Sequence, residues 1–302
     1  MRPGAGLRVA VEVADALAAG RPVVALESAI ITHGLPAPDN LEVATALEAR
    51  LRSSGVVPAT IGIVGGVPTV GLSADELALL ATAAAGKASV RDLPVVAARG
   101  THAGTTVAAT ATLAHQAGIA VFATGGIGGV HRGGGYDESA DIPCLARTPI
   151  TVVCAGAKSI LDIAATLERL ETSGVTVLGY RTTRFPGFYV ADSGQPVPAT
   201  VGGPEEVAAI MAAAAGLGLP GAIIVANPVP VAAQLDPATH ERVIARAVRA
   251  ADEEGISGPA LTPYLLAYLQ RETGGASLAA NVAAVHHNVA VAASIALAWA
   301  AA

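Results

Sequence analysis

The sequence predicts an α/β fold, namely a three-layer α/β/α sandwich with a mainly parallel, mixed central sheet. Short apolar runs typical of buried strands alternate with segments of helical periodicity, which is the pattern of a parallel sheet covered by helices on both faces. Two further runs, residues 60–64 and 69–72, flank a Gly-Gly pair and indicate a hairpin, so part of the sheet should be antiparallel. Because no linker or internal repeat interrupts the pattern, we expect a single domain over residues 1–302.

The first part of the chain contains a strand that ends on a carboxylate. A helix over about 7–19 leads into the apolar run 22–27, whose last residue is Glu27. Strands of an α/β sheet deliver their last residues to the carboxyl edge, where functional groups collect. Leucine and alanine at helical spacing indicate a helix over about 40–53, and the capping box Ser73–Glu76 opens another one after the hairpin.

The remaining elements continue this alternation. Strands are predicted at 95–98, 119–123, 150–154, 175–179 and 222–226. Helices are predicted at about 104–116, from Lys158 to about 171, and at about 204–215, 237–254, 261–272 and 277–302. Residues 181–203 contain three prolines and show no periodicity, and we expect them to cover the sheet edge as a lid.

Composition and charge exclude several classes of protein. The net charge is −6 and no basic cluster stands out, which argues against a nucleic-acid surface. No apolar run forms a convincing membrane span of roughly 18 uncharged residues. The alanine-rich stretch from Val289 is interrupted by Ser294 and is expected to be a buried helix, and the first residues lack the apolar core of a signal peptide. Cys144 and Cys154 have neither disulfide nor metal-site spacing, so we expect reduced, buried cysteines in a cytoplasmic protein.

Residues 150–160 carry the first candidate catalytic group, Lys158. They consist of an apolar strand, a turn of small residues, and the lysine at the predicted start of a helix. The positive end of a helix disfavours an added positive charge, which would favour a neutral amine able to form an imine with a carbonyl-type carbon. Only one other lysine, Lys87, occurs in the chain, and arginine cannot take this role because it stays protonated.

Three candidate groups follow predicted strands. Glu27, Thr124 and Lys158 each come after an apolar run, and parallel strands place their carboxyl ends at the same edge of a sheet. We therefore expect a carboxyl acid/base, a nucleophilic amine and a polar loop to converge on one crevice. The glycine-rich loop that contains Thr124 lacks the dinucleotide fingerprint, but its backbone can approach a ligand closely, and His131 and Arg132 lie on its rim.

Acidic residues after this loop suggest a cation site. Asp137 and Asp141 are four residues apart, so on a helical turn they would face the same way and could share a divalent cation, although an acidic helix start explains them equally well. The residues alone leave two chemistries open. One is a lysine-imine lyase, and the other is a hydrolase with a pair of carboxylates; either would act on a phosphorylated small molecule.

Longer motifs occur in order along nearly the whole chain. They are Val24–Pro36, Arg91–Pro94, Gly104–Ala108, Phe122–Gly133, Ser139–Asp141, Val152–Asp162, Val225–Pro228 and Thr273–Leu278, followed by Asn281. With these motifs the sequence resembles the pseudouridine-5′-phosphate glycosidase family, which shares its fold with indigoidine-synthesis A proteins. Two stretches depart from the family pattern, because the loop from His131 to Asp137 is shorter and residues 181–203 have diverged.

The resemblance implies an enzyme that reversibly cleaves the C–C glycosidic bond of pseudouridine 5′-phosphate to uracil and ribose 5-phosphate. It implies Lys158 as the nucleophile that attacks C1′ and forms an imine (Schiff base) with the opened sugar, and Glu27 as proton donor and later base. It also implies a homotrimer and one Mn²⁺ per subunit. The resemblance implies Asp137 as a metal ligand and His131 as part of the pocket wall. Thr124 and Asn281 would hydrogen-bond the uracil edge. The remaining substrate contacts that it implies are Lys87, against the phosphate, and Val107, Ser139, Ala140 and Asp141.

The chemistry of the bond agrees with a lysine. A C-glycoside has no leaving oxygen to protonate, so the two-carboxylate mechanism of ordinary glycosidases is poorly suited to it. An imine at C1′ supplies an electron sink, and the base can leave as its carbon is protonated. Two other functions stay open: an O- or N-glycosidase that uses Glu27 with Asp137 or Asp141, and a non-catalytic protein that binds a phosphorylated nucleoside.

Overall fold

A computed structural model describes residues 6–132, 137–256 and 261–302 of the chain. The strands in these residues are β1 (Arg8–Val9), β2 (Val23–Leu26), β3 (Val57–Val64), β4 (Val67–Val70), β5 (Gly86–Ala88), β6 (Ala103–Thr105), β7 (Val121–Ala123), β8 (Val130–His131), β9 (Thr151–Cys154), β10 (Leu161–Asp162), β11 (Thr176–Tyr180), β12 (Ala199–Val201) and β13 (Ile223–Ala226).

The α-helices lie between these strands and at the carboxyl end. They are α1 (Val11–Ala18), α2 (Asp39–Ser53), α3 (Ala74–Thr82), α4 (Leu93–Arg99), α5 (Val107–Gln116), α6 (Asp141–Leu145), α7 (Ile163–Thr172), α8 (Pro204–Gly216), α9 (Pro237–Glu253), α10 (Leu261–Glu272) and α11 (Ala276–Ala300). A π-helical turn, Ile30–Gly34, follows β2. The capping box predicted at Ser73 is present, with reciprocal hydrogen bonds between Ser73 and Glu76.

Eleven strands form one mixed, mostly parallel sheet, as predicted. Nine of them follow the order β1–β4–β3–β2–β7–β9–β13–β11–β12, while β6 pairs with β3 and β5 pairs with β6. The stretch from β2 through β7, β9, β13 and β11 to β12 is parallel throughout. The β3–β4 pair is antiparallel, which confirms the predicted hairpin. The carboxyl ends of the central parallel strands therefore meet at one edge.

Helices cover both faces of this sheet because successive strand side chains point to opposite faces. On β2, Val24 and Leu26 pack in one apolar cluster with residues of α2, α8 and α11. Val23 and Ala25, the alternate residues, pack in the other cluster with residues of α5, α7 and α9. This alternation produces the predicted α/β/α layers.

Two sequence predictions about local structure were wrong. Residues 95–98 were predicted as a strand, but they belong to the helix α4, which starts next to Pro94 and is capped by Gly100 in the left-handed region. Proline near a helix start and glycine after its end are typical helix boundaries, and they prevail here over a short valine run. The helix predicted to open at Lys158 begins at Ile163, where the Asp162 carboxylate caps it by accepting from the Ala165 N–H at 2.9 Å.

The helix α11 is the central helix of one layer. It is the one helix in the described residues that is long and apolar enough to cross a membrane by length and composition. It packs against α2 and α8 and against β2, β7 and β9, and half of its most apolar stretch is buried. This agrees with the buried helix predicted from Val289 onward. Cys144 and Cys154 are also free and buried, as predicted, and burial raises the pKa of the Cys154 thiol to about 12.

Candidate active site

The predicted catalytic residues Glu27 and Lys158 and the predicted substrate contact Thr124 lie at the carboxyl edge of the parallel strands. Glu27 directly follows β2, Thr124 directly follows β7, and Lys158 comes four residues after the last residue of β9. The three strands are adjacent, with Leu26 paired to Ala123 and Ala123 to Val153. The prediction that these groups converge on one crevice is therefore consistent with the strand order.

Glu27 and Thr124 are joined directly. The Thr124 hydroxyl donates a short hydrogen bond to Oε1 of Glu27, and Thr124 itself is 1% exposed. The Thr124 backbone N–H donates to the Val153 carbonyl oxygen at 3.0 Å, which fixes the residue against the end of β9. A hydroxyl that donates one hydrogen bond still has acceptor capacity, so Thr124 can also receive a hydrogen bond from a ligand.

The surroundings of Glu27 favour its protonated form. Burial is the largest effect and raises the pKa of the Glu27 carboxyl above its ordinary value. The Lys158 cation and the hydrogen bond from Thr124 oppose this shift, whereas the Asp141 carboxylate adds to it. A buried carboxyl group that holds its proton at higher pH is suited to general acid catalysis.

The end of β2 is held in place by Ser28, which the sequence reasoning did not single out. Its hydroxyl donates to the Ile61 carbonyl oxygen at 2.6 Å and accepts from the Thr105 N–H at 2.9 Å. Ser28 and Thr105 are both fully buried. Since Ser28 is the next residue after Glu27, these bonds to β3 and β6 fix the backbone that carries the carboxylate.

Lys158 is positioned by two loops rather than by a helix. Its backbone N–H donates to the Ile127 carbonyl oxygen at 3.1 Å, and the Ile127 N–H donates to the Gly156 carbonyl oxygen at 3.0 Å. Because α7 begins five residues after Lys158, the predicted effect of a helix terminus on its amine does not apply. The lysine instead lies between the glycine-rich loop after β7 and the turn after β9.

The segment 181–203 packs onto the same turn. The Phe188 N–H donates to the Ala155 carbonyl oxygen at 3.0 Å, and Gly156 pairs with Gly187. Gly156 has φ +85°, and a Cβ there would lie inside van der Waals distance of the Pro186 carbonyl oxygen. Residues 187 and 188 of the segment therefore pack on the turn before Lys158, whereas residues 199–201 form the edge strand β12 and do not belong to an irregular cover.

Lys87 joins the site from β5. It pairs with Gly104 of β6, close to the amino end of α5. Although its residue surface is exposed, desolvation by the surrounding protein is the largest cause that lowers the pKa of Lys87, followed by the Lys158 cation. Glu27 and Asp141 act on it in the opposite direction. The direction of these effects is consistent with a common site for Lys87, Lys158, Glu27 and Asp141.

Asp141 ties three parts of this site together. Its Oδ1 accepts from the Ala108 N–H at 2.9 Å and its Oδ2 accepts from the Gly128 N–H at 2.8 Å. Ser139 lies beside it, since its hydroxyl oxygen accepts from the Asp141 N–H at 3.2 Å. The predicted substrate contacts Val107 and Ala140 border this cluster, as the first residue of α5 and the residue that precedes α6. Their contact with substrate stays a prediction.

Asp137 precedes α6, which begins at Asp141. The prediction that the two aspartates share a helical turn was therefore wrong, and a cation held between them stays a prediction. The side chain of Asp137 is about half exposed, and its Oδ2 is 3.0 Å from Nδ1 of His131, without hydrogen-bond alignment. The glycine run 133–135 of the shortened loop lies outside the described residues.

The described residues contain no cluster of three metal-ligating side chains. Within residues 6–132, 137–256 and 261–302, no three His, Cys, Asp or Glu side chains come together in a way that could hold a metal ion. A single exposed carboxylate such as Asp137 fits a hard cation that keeps most of its water ligands. Asp137 as a metal ligand stays a prediction.

Asn281 presents an unused acceptor. It lies on α11, and its Oδ1 is buried without a hydrogen-bond partner in the described part of the chain. A Cβ placed on Gly125, next to Thr124, would be 3.1 Å from this oxygen. Buried polar atoms are normally paired, so an unpaired amide oxygen beside the loop is a site for an N–H donor of a ligand.

Two asparagines near the site were missed as functional candidates. Asn288 of α11 donates to the Thr124 carbonyl oxygen at 2.8 Å, and Asn227, directly after β13, donates to Oδ1 of Asn288 at 2.9 Å. The motif Val225–Pro228 was noticed in the sequence, but nothing in it indicated what Asn227 contacts. Its position after an apolar strand is the same signal that identified Glu27.

A cavity of about 360 Å³ lies at the opposite, amino-terminal edge of the sheet. Its walls include Arg21, Gly118 and Trp299. None of the predicted catalytic or binding residues contributes to it. We therefore place the candidate active site at the carboxyl edge, where Glu27, Thr124 and Lys158 follow the adjacent strands β2, β7 and β9.

Comparison with known proteins shows the family and the fold of this chain. The family model described as indigoidine synthase A like protein matches residues 12–298. A pseudouridine-5′-phosphate glycosidase of Saccharopolyspora erythraea is 59% identical over 295 residues, which cover 97% of each chain. The structure of the prealnumycin C-glycosynthase AlnA in complex with ribulose 5-phosphate has a TM-score of 0.91 and 40% identity, and covers 99% of this chain and 98% of its own. The structure of an indigoidine synthase A-like protein from Thermotoga maritima has a TM-score of 0.89 and 35% identity, and the match covers 98% of this chain and 97% of that protein.

Proposed function

Because this chain belongs to the family of indigoidine synthase A-like proteins, we propose that it cleaves pseudouridine 5′-phosphate to uracil and ribose 5-phosphate. The observation that carries the proposal is the meeting of Lys158 with the Thr124-bound carboxyl of Glu27 at one edge of the sheet. The 59% identity to a glycosidase that bears this substrate's name supports the choice of substrate.

The proposed reaction uses the amine of Lys158 as nucleophile. The amine displaces the ring oxygen from C1′, so a C–N bond forms, the sugar ring opens, and the released oxygen takes up a proton. The nitrogen lone pair then forms the imine as the bond between C1′ and C5 of uracil breaks. C5 of uracil receives a proton in place of the bond to C1′. Water then hydrolyses the imine to ribose 5-phosphate and free Lys158.

Glu27 supplies the proton in this scheme. Although the residue is partly exposed, desolvation of its carboxyl by the surrounding protein raises the pKa, so a larger fraction is protonated than for a fully exposed glutamate. After donating the proton to uracil C5 it is a carboxylate, and it can then take a proton from the water that attacks the imine. General acid–base steps of this kind contribute about 10²- to 10⁴-fold to a rate.

The phosphate is proposed to bind where Lys87 and the start of α5 come together. Val107 is the first residue of α5, and the N-terminus of a helix is a favourable place for an anion. Lys87 adds a positive charge and Ser139 a hydroxyl at the same border. The ribulose 5-phosphate held by the prealnumycin C-glycosynthase shows that a relative with this fold binds a sugar phosphate.

Uracil is proposed to lie against the loop after β7. The unpaired Oδ1 of Asn281 would accept from a ring N–H, and the Thr124 hydroxyl would accept from another donor or share the proton of Glu27. His131 would close the pocket wall, since it pairs with Leu161 three residues after Lys158.

We propose Asp137 as the protein ligand of a Mn²⁺ ion, with water filling other positions. When bound, the ion supplies positive charge near the substrate oxygens. Replacement of Asp137 with Asn should raise the Mn²⁺ concentration needed for half-maximal binding, measured by paramagnetic relaxation of water, by about tenfold. The homotrimer is the assembly that the resemblance implies, and light scattering on the purified protein tests it. The cytoplasmic location is proposed from the two reduced cysteines.

The decisive experiment is incubation of the protein with pseudouridine 5′-phosphate and Mn²⁺, followed by chromatography of released uracil. Uridine 5′-phosphate is the control, because a carboxylate-pair N-glycosidase would cleave it without an imine. Release of uracil from uridine 5′-phosphate alone would overturn the proposal in favour of that function. Binding of pseudouridine 5′-phosphate without any product would favour the non-catalytic alternative.

A further inference from the structure

We propose that Asn288, oriented by Asn227, is a positioning residue that keeps the Thr124 hydroxyl on the Glu27 carboxylate. We call Asn227 and Asn288 the asparagine bridge. The inference rests on the proposed function only in taking Glu27 as the proton donor. The contact with Glu27 and the geometry behind it are independent of the substrate.

The asparagine bridge connects the ends of three parallel strands from behind the site. Asn288 is fully buried, and its Nδ2 donates to the carbonyl oxygens of Thr124 at 2.8 Å and Gly125 at 3.3 Å. Asn227 is 1% exposed, and its Nδ2 donates to Oδ1 of Asn288 at 2.9 Å. The Asn227 backbone N–H donates to the Cys154 carbonyl oxygen at 2.8 Å. The bridge therefore links the carboxyl ends of β7, β9 and β13.

Only one orientation of the Asn288 amide satisfies these contacts. The carbonyl oxygens of Thr124 and Gly125 can only accept hydrogen bonds, so the NH₂ group must face them. The amide oxygen then faces Asn227, whose NH₂ group donates to it. The two carbonyls and Asn227 together fix the orientation of Asn288, and Asn288 in turn fixes the turn after β7.

The asparagine bridge acts on the residue whose side chain touches the acid. Asn288 holds the backbone carbonyl of Thr124, while the hydroxyl of the same residue donates to Glu27. Asn281 lies seven residues before Asn288, which is about two helical turns, so both face the same loop from α11. One face of this helix therefore fixes the loop with one asparagine and offers a free acceptor with the other.

Loss of the Asn288 side chain should change the pKa of Glu27 and not only the free energy of unfolding. Without its NH₂ group the carbonyls of Thr124 and Gly125 lose a buried donor, and the turn must move to find another one. Movement of the turn takes the Thr124 hydroxyl away from Glu27. Since this hydrogen bond lowers the pKa of Glu27 against the larger effect of burial, its loss should raise the pKa further.

The test is an infrared titration of the Glu27 carboxyl in the full-length protein. The band is assigned by its loss in Glu27→Gln, and it is followed in wild type, Asn288→Ala, Thr124→Val and the double variant. Thr124→Val removes the hydroxyl directly while it keeps the shape of the side chain. If Asn288 acts through Thr124, the effects of the two substitutions on the Glu27 titration should not be additive.

Both single variants are expected to move the titration of Glu27 upward by about one pH unit, and the double variant should move it no further. With pseudouridine 5′-phosphate and Mn²⁺, Asn288→Ala should lower kcat about tenfold, with a smaller change in KM. An unchanged titration in Asn288→Ala, or a shift that adds fully to that of Thr124→Val, would overturn the proposal.

Further variants separate positioning from general stability. Thr148→Ala removes a buried hydroxyl that donates to the Cys144 carbonyl oxygen at 2.9 Å, before the start of β9 and away from the site. It should lower the melting temperature and leave the Glu27 titration unchanged. If Asn288→Ala does not fold, Asn227→Ala leaves Asn288 in place without its orienting donor, and it should shift the titration in the same direction by less. No shift in that variant would count against the proposal.

The titration also separates this inference from the proposed function. If the wild-type protein released no uracil, the proposed function would fail, while the coupling of Asn288 to Glu27 would still be measured by infrared spectroscopy. If uracil is released but the titration does not respond to Asn288, the function stands and the positioning role is refuted.

Discussion

The backbone N–H of Lys158 donates a 3.1 Å hydrogen bond to the carbonyl oxygen of Ile127, which ties the proposed nucleophile to the glycine-rich loop. The same loop carries Thr124, whose hydroxyl is bonded to Glu27. Lys158 and Glu27 are therefore both hydrogen-bonded to the loop that follows β7. Their separation depends on that loop rather than on a helix terminus.

Lys158→Arg should abolish turnover. Arginine keeps a positive charge at the site but stays protonated, so it cannot attack C1′. Borohydride added with pseudouridine 5′-phosphate should trap an adduct at Lys158 in wild type, detected by peptide mass spectrometry, and none in the variant. Lys87→Arg is the matched control, because it changes the other lysine and should leave the adduct in place with a raised KM. Retained turnover in Lys158→Arg would contradict the imine mechanism.

Glu27→Gln should gain stability relative to wild type as the pH rises. Burial raises the pKa of Glu27 in the folded state, so the folded state binds its proton up to higher pH than the unfolded state does. The stability linked to this proton is present below the unfolded pKa of about 4.5 and is lost as the pH rises through the folded pKa. Glutamine cannot ionise and avoids that loss. Melting temperatures between about pH 4 and pH 8 measure the difference.

Glu12→Gln provides a control of opposite sign for this prediction. The hydrogen bond from Arg52 is the largest cause that lowers the pKa of Glu12, so its contribution to stability is present above the unfolded pKa and is lost as the pH falls. The variant should lose stability relative to wild type at neutral pH, by a small amount because the pair is exposed. A difference between Glu27→Gln and wild type that stays constant with pH would contradict the assigned burial effect.

Asn281→Ala should raise KM while the free protein keeps its stability. Its Oδ1 is buried and unpaired in the described part of the chain, so its removal costs the free protein no hydrogen bond. The bound uracil would lose one, which corresponds to about a tenfold rise in KM. Steady-state kinetics and thermal melting measure the two effects. A large drop in melting temperature with an unchanged KM would show a structural role instead.

Gly156→Ala should destabilise the protein by about 2–5 kcal/mol, because it combines left-handed strain with a steric clash. Gly156 has φ +85°, and the new Cβ would press against the Pro186 carbonyl oxygen. Gly55→Ala is the control, with φ +77° and no atom within 4 Å of its Cβ, so it should cost only about 1–2 kcal/mol. Urea unfolding measures both, and equal costs would show that Pro186 gives way easily.

Local patterns in the sequence were sufficient for most of the fold. Strands such as β2 and β13 are short apolar runs, α2 has clear helical spacing, and Ser73 has the predicted cap. The errors lie where a local pattern is ambiguous. The valines near residue 95 lie in a helix that starts next to a proline, and the turn after Lys158 delays α7 to Ile163.

The sequence by itself determined which residues stand at strand ends, because apolar runs of strand length end there and polar groups follow. This was enough to select Glu27, Thr124 and Lys158. Only the tertiary structure decided which of these ends are neighbours, since β2 lies beside β7 although 94 residues separate Leu26 from Val121 in the numbering. The bond from Asn288 to Thr124 joins residues 164 positions apart. No local pattern encodes such a contact, because it forms only when the strand order brings both segments to the same edge.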